Sequence, residues 1–240
     1  MGELSDKSIL KQEILKIEND KKNAEYINKT ANNQINGIDV SRWQGAINFD
    51  KVKKSGIDFV IIKAGGSDCA NGFYTDRNFK TNYNNAKIAG LKVGAYFFAG
   101  EKCNTYEKGV NDAYNFYSII KGLKFEYPVI LDFETANKAN KASNTQAVLG
   151  FGDFFEKLKY YFMVYGSDIS TFKERVNDKD IKRFDHWVAR YGSKPTYAKP
   201  YGIWQYSSTG KINGISGNVD LDISYNDYAS IMCKHHLNGF

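Results

Sequence analysis

Two carboxylates lie two positions apart at the end of a strongly apolar run, VILDFET, over residues 129–135. Side chains two apart on a β-strand point to the same face, so Asp132 and Glu134 share a face if this run is a strand. Burial and a neighbouring carboxylate both raise a carboxyl pKa, so one group can stay protonated as a general acid while the other stays ionised. Glycosidases use this pair of states, and the pattern therefore indicates acid–base chemistry on a sugar.

Three further acids occupy apolar contexts at the two ends of the chain. Asp39 lies in GIDVS, and Asp220 and Asp222 lie in NVDLDIS. If the first and last strands are neighbours in a closed barrel, these acids meet Asp132 and Glu134 at one mouth. The structural alternative is that each acid caps a helix or pairs with a lysine. The cluster also suits Mg²⁺ or Ca²⁺. Since no EF-hand or phosphate loop accompanies it, the sugar interpretation is favoured, and neither a metal nor another cofactor is expected.

A repeated alternation of strands and helices must position these acids. Apolar or β-branched runs predict strands, and amphipathic segments that end at glycine predict helices. The predicted strands are 37–41, 57–65, 91–100, 127–134, 162–167, 186–192, 201–208 and 218–225. The predicted helices are 48–56, 76–90, 107–122 and 144–161, with a short one at 170–176. The pattern predicts an α/β fold with eight strands in a barrel, in which three crossover helices are missing or reduced.

The chain divides into three predicted segments. Residues 1–35 are predicted to be an N-terminal helical extension, because Leu10, Ile14 and Ile17 follow a helical spacing. Residues 36–232 form the predicted catalytic barrel, and residues 233–240 are interpreted as a polar C-terminal tail.

Composition narrows the class of protein. Of 240 residues, 42% are hydrophobic, which is enough for a core and argues against disorder. The net charge of +6 comes without a Lys/Arg block, so an anionic surface or polymer is a better partner than nucleic acid. No stretch approaches the roughly 20 apolar residues of a membrane span, and no signal-peptide core is visible at the start. Three cysteines without a CxxC motif give poor support to a zinc site.

Aromatic residues in the predicted strands are suited to sugar binding, because rings stack on sugar faces. Six of them lead to the predicted mouth: Tyr96, Phe98, Trp187, Tyr191, Trp204 and Tyr206. For Phe98 and Trp187 core packing is the competing interpretation. The run Trp204-Gln205-Tyr206 covers both strand faces, so at least one of its members should face inward.

The ordered motifs resemble glycoside hydrolase family 25, the Chalaropsis-type lysozymes or N-acetylmuramidases, from about Gly37 to about Tyr228. The matching pieces are GIDVSRWQG, VGAYFFA, PVILDFE, WVARYG, IWQYSSTG and VDLDISY. The resemblance implies an irregular TIM-like barrel, (β/α)5(β)3. It also implies hydrolysis of the β-1,4 bond between N-acetylmuramic acid and N-acetylglucosamine in peptidoglycan, by a secreted or wall-located protein that is expected to be a monomer.

The resemblance also implies roles for individual residues. Glu134 would be the general acid, and Asp132 would orient the substrate N-acetyl group or stabilise the charged intermediate. Asp39 and Asp220 would complete the acidic pocket. The predicted substrate-binding residues are Lys63, Tyr96, Phe98, Tyr165, Trp187, Tyr191, Trp204, Gln205 and Asp222. Asp222 ranks lower than Asp220, because the family tolerates Asn or Asp there.

Two loops depart from the family pattern. After the second strand many members read Lys-Ala-Thr-Glu-Gly, where this chain reads KAGGSDCANG, and the histidine common after the third strand is absent from YFFAGEKC. These loops carry Cys69 and Cys103, and we hypothesise a disulfide between them at the rim of the site. Such a bond would imply an oxidising, extracellular setting.

Two other functions remain open at the level of sequence. One is a non-catalytic glycan-binding barrel, and the other is a metal-dependent hydrolase that uses the same carboxylates. For the hydrolase, the choice between a direct nucleophile and a substrate-assisted route is open as well. The spacing of Asp132 and Glu134 allows only a short gap, which disfavours the wider slot of an inverting enzyme.

Overall fold

The computed structural model describes residues 34–68 and 72–240. The strands are β1 Ile35–Val40, β2 Phe59–Asp68, β3 Gly72–Thr75, β4 Lys92–Phe98, β5 Val129–Asp132, β6 Phe162–Ser167, β7 Asp185–Ala189, β8 Ile203–Gly210 and β9 Val219–Ser224. The helices are α1 Phe49–Lys54, α2 Phe79–Ile88, α3 Tyr106–Ile120, α4 Lys141–Lys157 and α5 Tyr228–Lys234. The helix predicted within residues 1–35 lies almost wholly outside the described residues.

The strands close into a barrel, which confirms the predicted α/β TIM-like fold. β1 pairs in parallel with β2, and parallel pairing continues through β4, β5, β6, β7 and β8. β9 closes the ring and is antiparallel to both β8 and β1. β3 is added to β2 as a hairpin, so eight of the nine strands form the barrel itself. In the ranges that the structure describes, no helix is long and apolar enough to cross a membrane.

The region between β6 and β7 differs from the prediction of a short helix at 170–176. It forms consecutive turns, in which the Val176 N–H reaches the Thr171 carbonyl and the Phe172 N–H reaches that of Ser167. The Thr171 hydroxyl accepts the Ser167 N–H, a local bond that competes with regular helix formation. A single 3₁₀ turn, Asp178–Ile181, follows before β7.

Side chains alternate between the two faces of each strand and so form two hydrophobic cores, one between the barrel and the helices and one inside the barrel. Residues such as Val60 and Ile62 of β2 pack outward against the helices, while Phe59 and Ile61 fill the barrel interior. At the end of the barrel where the parallel strands begin, Phe59 stacks on Tyr127 with ring centroids 4.2 Å apart. Gly37 is required beside them, because a Cβ there would lie 2.1 Å from the Phe59 ring.

The C-terminal residues, interpreted from sequence as a polar tail, close this end of the barrel instead. Leu237 and Asn238 are buried. The Asn238 side chain accepts the Tyr161 N–H at 2.7 Å and donates to the Tyr127 carbonyl at 2.8 Å. The Asn238 amide thus joins the segments that precede β5 and β6. Its two partners lie 111 and 77 residues away in the sequence, so no local sequence signal predicts this role.

Candidate active site

The predicted acids converge on the inner face of the barrel, at the end where the parallel strands terminate. β1 supplies Asp39, and β5 supplies Asp132 with Glu134 two residues beyond it. Asp39 is paired with Asp220 across β1 and β9, and Asp222 is paired two positions along. Because β9 runs antiparallel, its acids enter the mouth from the start of the strand. The alternating sequence pattern does not predict that direction.

Asp39 is held by a short network of neutral donors. Its Oδ2 accepts the Gln205 Nε2–H at 2.7 Å. The Gln205 Oε1 in turn accepts the hydroxyls of Tyr165 at 2.9 Å and Tyr191 at 3.1 Å, which fixes the amide orientation. Burial, followed by the charges of Asp222 and Asp220, raises the pKa of Asp39 well above its usual value.

Asp222 and Trp187 form a buried pair beneath the pocket. Both are 1% exposed, and the Trp187 indole N–H donates to Asp222 Oδ1 at 2.8 Å. Burial raises the pKa of Asp222 strongly, the Trp187 hydrogen bond opposes that rise, and the charge of Asp220 adds to it. Trp187 therefore supports the pocket floor, and its burial prevents the predicted stacking on a sugar.

Asp132 and Glu134 differ in depth. Asp132 is 5% exposed, and its Oδ1 has no hydrogen-bond partner among the described residues. Burial and then the charge of Glu134 raise the pKa of Asp132 well above its usual range, while Lys63 opposes the shift. Glu134 lies further out and is exposed. Its pKa is raised by partial desolvation, against the lowering effects of Arg175 and Lys63. A substrate that covers Glu134 would raise its pKa further.

Lys63 is the cation at the inner face of β2. Its Nζ lies 4.6 Å from the Phe98 ring centroid and 5.6 Å from that of Tyr96, a cation–π arrangement that holds the amine against two predicted substrate-binding rings. Tyr96 itself faces the barrel interior and packs edge-on against Trp187. The structure therefore groups Lys63, Tyr96, Phe98 and Tyr165 around the acid pair.

Trp204 does not share the pocket. Ile203 belongs to the inner core and Gln205 binds Asp39, so Trp204 between them projects from the outer face of β8. Its indole N–H donates to the Arg190 carbonyl at 2.8 Å. The outward position of Trp204 corrects the prediction that it binds substrate in the pocket, where the neighbouring Gln205 bonds Asp39 instead.

Sequence reasoning missed two residues beside the pocket. Arg175 is buried, donates from Nε to the Ala136 carbonyl at 2.7 Å and from Nη1 to Thr171 Oγ1 at 3.1 Å, and lowers the pKa of Glu134. It thereby joins the segment after β5 to the turns after β6. The segment STFKERV was predicted only as a short helix, and no sequence signal marked Arg175 as buried.

Asp168, directly after β6, is the second missed residue. It accepts the backbone N–H groups of Thr196, Tyr197 and Ala198 at 2.9 to 3.0 Å and the Arg190 Nη1–H at 2.6 Å. Burial alone would raise its pKa, but these hydrogen bonds outweigh burial and lower the pKa to about 2. Asp168 thus fixes the segment after β7, which carries Tyr191.

The predicted disulfide remains a prediction, because Cys69 lies outside the described residues. Cys103 is buried, and burial together with Asp112 raises the pKa of its thiol. Within residues 34–68 and 72–240, no three His, Cys, Asp or Glu side chains are grouped so that they could hold a metal ion.

Comparison with known proteins gives a consistent result. The sequence model described as Glycosyl hydrolases family 25 matches residues 38–215. The autolytic lysozyme of Clostridium acetobutylicum is 34% identical over 190 residues, which cover 78% of this chain and 55% of that protein. Lysozyme M1 of Streptomyces globisporus is 35% identical over 202 residues, which cover 78% of this chain and 66% of that protein.

Solved structures agree with these matches. The CTP1L endolysin superposes with a TM-score of 0.72 at 28% identity, over 83% of this chain and 70% of that one. A bacterial lysozyme from Streptomyces coelicolor superposes with a TM-score of 0.64 at 30% identity, over 80% of this chain and 92% of that one. The two relatives compared by sequence are longer than their matched regions, so the similarity concerns part of each.

Proposed function

The chain belongs to the glycosyl hydrolases of family 25, and on this premise we propose that it is a muramidase. It hydrolyses the β-1,4 bond between N-acetylmuramic acid and N-acetylglucosamine in bacterial peptidoglycan. The observation that carries the proposal is the convergence of Asp132 and Glu134 with Asp39 and Asp220 on the inner face of one barrel mouth. The names of the similar proteins, two of which are lysozymes, support the same reaction.

Glu134 is the proposed general acid. It is exposed at the mouth, where a glycosidic oxygen can reach it, and its raised pKa favours the protonated form that the reaction needs. Lys63 and Arg175 limit that rise, so the carboxyl can still release its proton to the leaving oxygen. General acids of this kind contribute about 10²- to 10⁴-fold to the rate.

Asp132 is the proposed partner of the substrate N-acetyl group. Its Oδ1 has no partner within the described chain and can accept a hydrogen bond from the amide N–H of the sugar. That bond would orient the acetyl oxygen towards the anomeric carbon, as in substrate-assisted glycosidases. Asp132 and Glu134 lie only two residues apart at the end of β5, a spacing that leaves little room for a water between them and argues against an inverting route.

The remaining acids give the pocket its negative potential. Asp39 and Asp220 face each other across β1 and β9, and each has a raised pKa because it is desolvated. Positive charge that develops on the sugar in the transition state would be stabilised here, because carboxylates are aimed at it in a region of low dielectric. That positive charge would in turn stabilise the ionised forms of Asp39 and Asp220 in the transition state. Since the substrate is the wall, the protein is proposed to act at the cell wall or outside the cell.

Glu134→Gln is the decisive test. We expect it to reduce the lysis of Gram-positive cell walls by at least about 100-fold, because the amide cannot protonate the leaving oxygen. The circular dichroism spectrum and Tm should remain those of the wild type. Glu107→Gln, an exposed glutamate in the first turn of α3, is the matched control and should lyse walls normally.

Mass spectrometry of the digest identifies the bond that is cut. New reducing ends on N-acetylmuramic acid support the proposal, whereas ends on N-acetylglucosamine would identify a glucosaminidase instead. Near-normal lysis by Glu134→Gln would refute the role of Glu134. Wall binding without release of any reducing end would show a binding module rather than an enzyme.

A further inference from the structure

Trp43 is a large aromatic side chain that the fold leaves in water. It is 77% exposed and lies in the 3₁₀ turn Arg42–Gln44, directly after β1. β1 ends at the same side of the barrel as β5, so the turn stands on the rim of the acidic pocket. Single exposed hydrophobic residues are common, and exposure alone would not indicate a function.

The turn that carries Trp43 is held in one conformation. The Ser41 hydroxyl accepts the Trp43 N–H at 3.2 Å, and the Gln44 side chain accepts the Ser41 N–H at 2.9 Å, which together form a capping box. The Arg42 N–H donates to Asp76 Oδ2 at 3.0 Å, so the end of the β2–β3 hairpin also fixes the turn. The indole is therefore presented on a rigid backbone, which reduces the entropy lost on binding.

A continuous row of side chains connects Trp43 with the acid pair. The Arg42 guanidinium lies 4.8 Å from the Trp43 ring centroid and 5.9 Å from that of Tyr74. The Lys63 Nζ lies 5.9 Å from the same Tyr74 ring and lowers the pKa of both Asp132 and Glu134. Rings and cations alternate along this row, from the open rim to the floor of the pocket.

We propose that Trp43 forms a distal sugar-binding subsite, in which its indole stacks on a pyranose ring of the glycan strand beyond the bond that is cut. This inference rests on the proposed muramidase function. A polymeric substrate must leave the pocket over its rim, and the row from Lys63 to Trp43 offers a path of flat rings for sugar faces. Arg42, the cation between the two rings, donates hydrogen bonds to the hydroxyl, acetamido or carboxylate oxygens of the strand.

The test compares long and short substrates. We expect Trp43→Ala to lower the ratio of kcat/KM for long glycan strands to that for a tetrasaccharide by about three- to tenfold, as the loss of one stacking contact predicts. Trp43→Phe, which keeps a ring, should retain most of the wild-type ratio. Tyr114→Ala is the matched control: Tyr114 is 61% exposed, but it lies on α3 and packs edge-on against Phe154. The ratio should be normal in this control.

Two results would overturn the subsite. One is a ratio for Trp43→Ala within twofold of the wild type. The other is a lower Tm with an unchanged ratio, which would show that Trp43 packs against another part of the chain. Failure of the proposed function is a separate result, because the wild type would then release no reducing ends from either substrate. In that event the affinity of Glu134→Gln for long strands, with and without Trp43→Ala, still decides whether Trp43 binds sugar.

Discussion

Asp132 and Asp168 are two aspartates of similar burial whose surroundings shift their pKa values in opposite directions. Asp132 ends β5 and is 5% exposed, while Asp168 follows the adjacent strand β6 and is 2% exposed. Asp168 accepts three backbone N–H groups and a guanidinium, and its pKa falls to about 2. Burial and then the charge of Glu134 raise the pKa of Asp132, one of whose oxygens has no partner in the described part of the chain. Burial acts to raise both pKa values, and at Asp168 the hydrogen-bond donors outweigh it.

Asp168 has a structural role, whereas the surroundings of Asp132 suit a functional one. Both carboxylate oxygens of Asp168 accept hydrogen bonds, and these bonds fix the loop in which Tyr191 reaches Gln205. The pocket around Asp132 leaves an acceptor unsatisfied, which costs stability in the absence of substrate. Such a local conflict is expected where a group is reserved for a ligand.

The largest expected effect is on catalysis by Asp132→Asn. We expect kcat for wall hydrolysis to fall by roughly 10²- to 10³-fold, because the amide cannot supply the negative charge that the transition state needs. The free energy of unfolding should stay the same or increase, since a buried carboxylate without a donor has been removed. Turbidity assays and urea unfolding measure the two quantities. A loss of stability as large as that of Asp168→Asn would mean that Asp132 is structural.

Asp168→Asn should produce the opposite pattern. Its new NH₂ group would face N–H donors of residues 196–198, so we expect the free energy of unfolding to fall by about 1–3 kcal/mol. The loss of kcat/KM should be smaller than in Asp132→Asn, since Asp168 touches the pocket only through Tyr191 and its loop. Urea unfolding with the wild-type slope m would measure the change in stability. An unchanged midpoint would contradict the proposed anchoring role.

The sequence predicted the acids of the pocket better than the residues that hold the surrounding loops in place. Glu134 and Asp132 follow from an i, i+2 spacing in one strand, and the barrel follows from alternating strands and helices, because both signals are local. Asp168 and Arg175 were missed because each has a partner far away in the sequence: Thr196 lies 28 residues from Asp168, and Ala136 lies 39 residues from Arg175. Trp204 was placed in the pocket because alternate residues of a strand face opposite sides, and the sequence does not show which side faces the barrel interior. The β3 strand was missed because the glycine-rich stretch after β2 indicates a loop rather than a hairpin.

The opposite pKa shifts of Asp168 and Asp132 should give opposite effects of pH on the free energy of unfolding. The pKa of Asp168 is lowered on folding, so its contribution is complete above about pH 4, the usual aspartate pKa, and is lost as pH falls towards 2. The pKa values of Asp132, Asp39 and Asp222 are raised on folding, so their contribution is complete below about pH 4 and is lost as pH rises. Each group contributes a slope of at most about 1.4 kcal/mol per pH unit.

Scans of Tm against pH in the two variants would resolve these slopes. Asp168→Asn should flatten the acid side of the stability curve, and Asp132→Asn should flatten the side above pH 4. The wild type should therefore be most stable near the crossover of the two slopes. If Asp132→Asn instead changed only the acid side, the raised pKa of Asp132 would be refuted.

The smallest expected effect concerns the two arginines that neighbour the contrasted regions. Arg190 bonds Asp168 directly, whereas Arg175 bonds Ala136, Ser170 and Thr171 and its charge acts on Glu134 through space. A general acid loses activity as pH rises through its pKa. Because Arg175 lowers the pKa of Glu134, Arg175→Met should move the alkaline limb of the kcat profile to higher pH.

Arg175→Lys is the matched control, since it keeps the charge but not the planar set of hydrogen bonds. It should leave the alkaline limb near its wild-type position even if kcat falls at every pH. A purely structural role for Arg175 predicts a lower kcat in both variants with neither limb displaced. That result would place Arg175 in the same class as Arg190, as a residue that fixes a loop, and would leave Lys63 as the cation that sets the pKa of the catalytic acid.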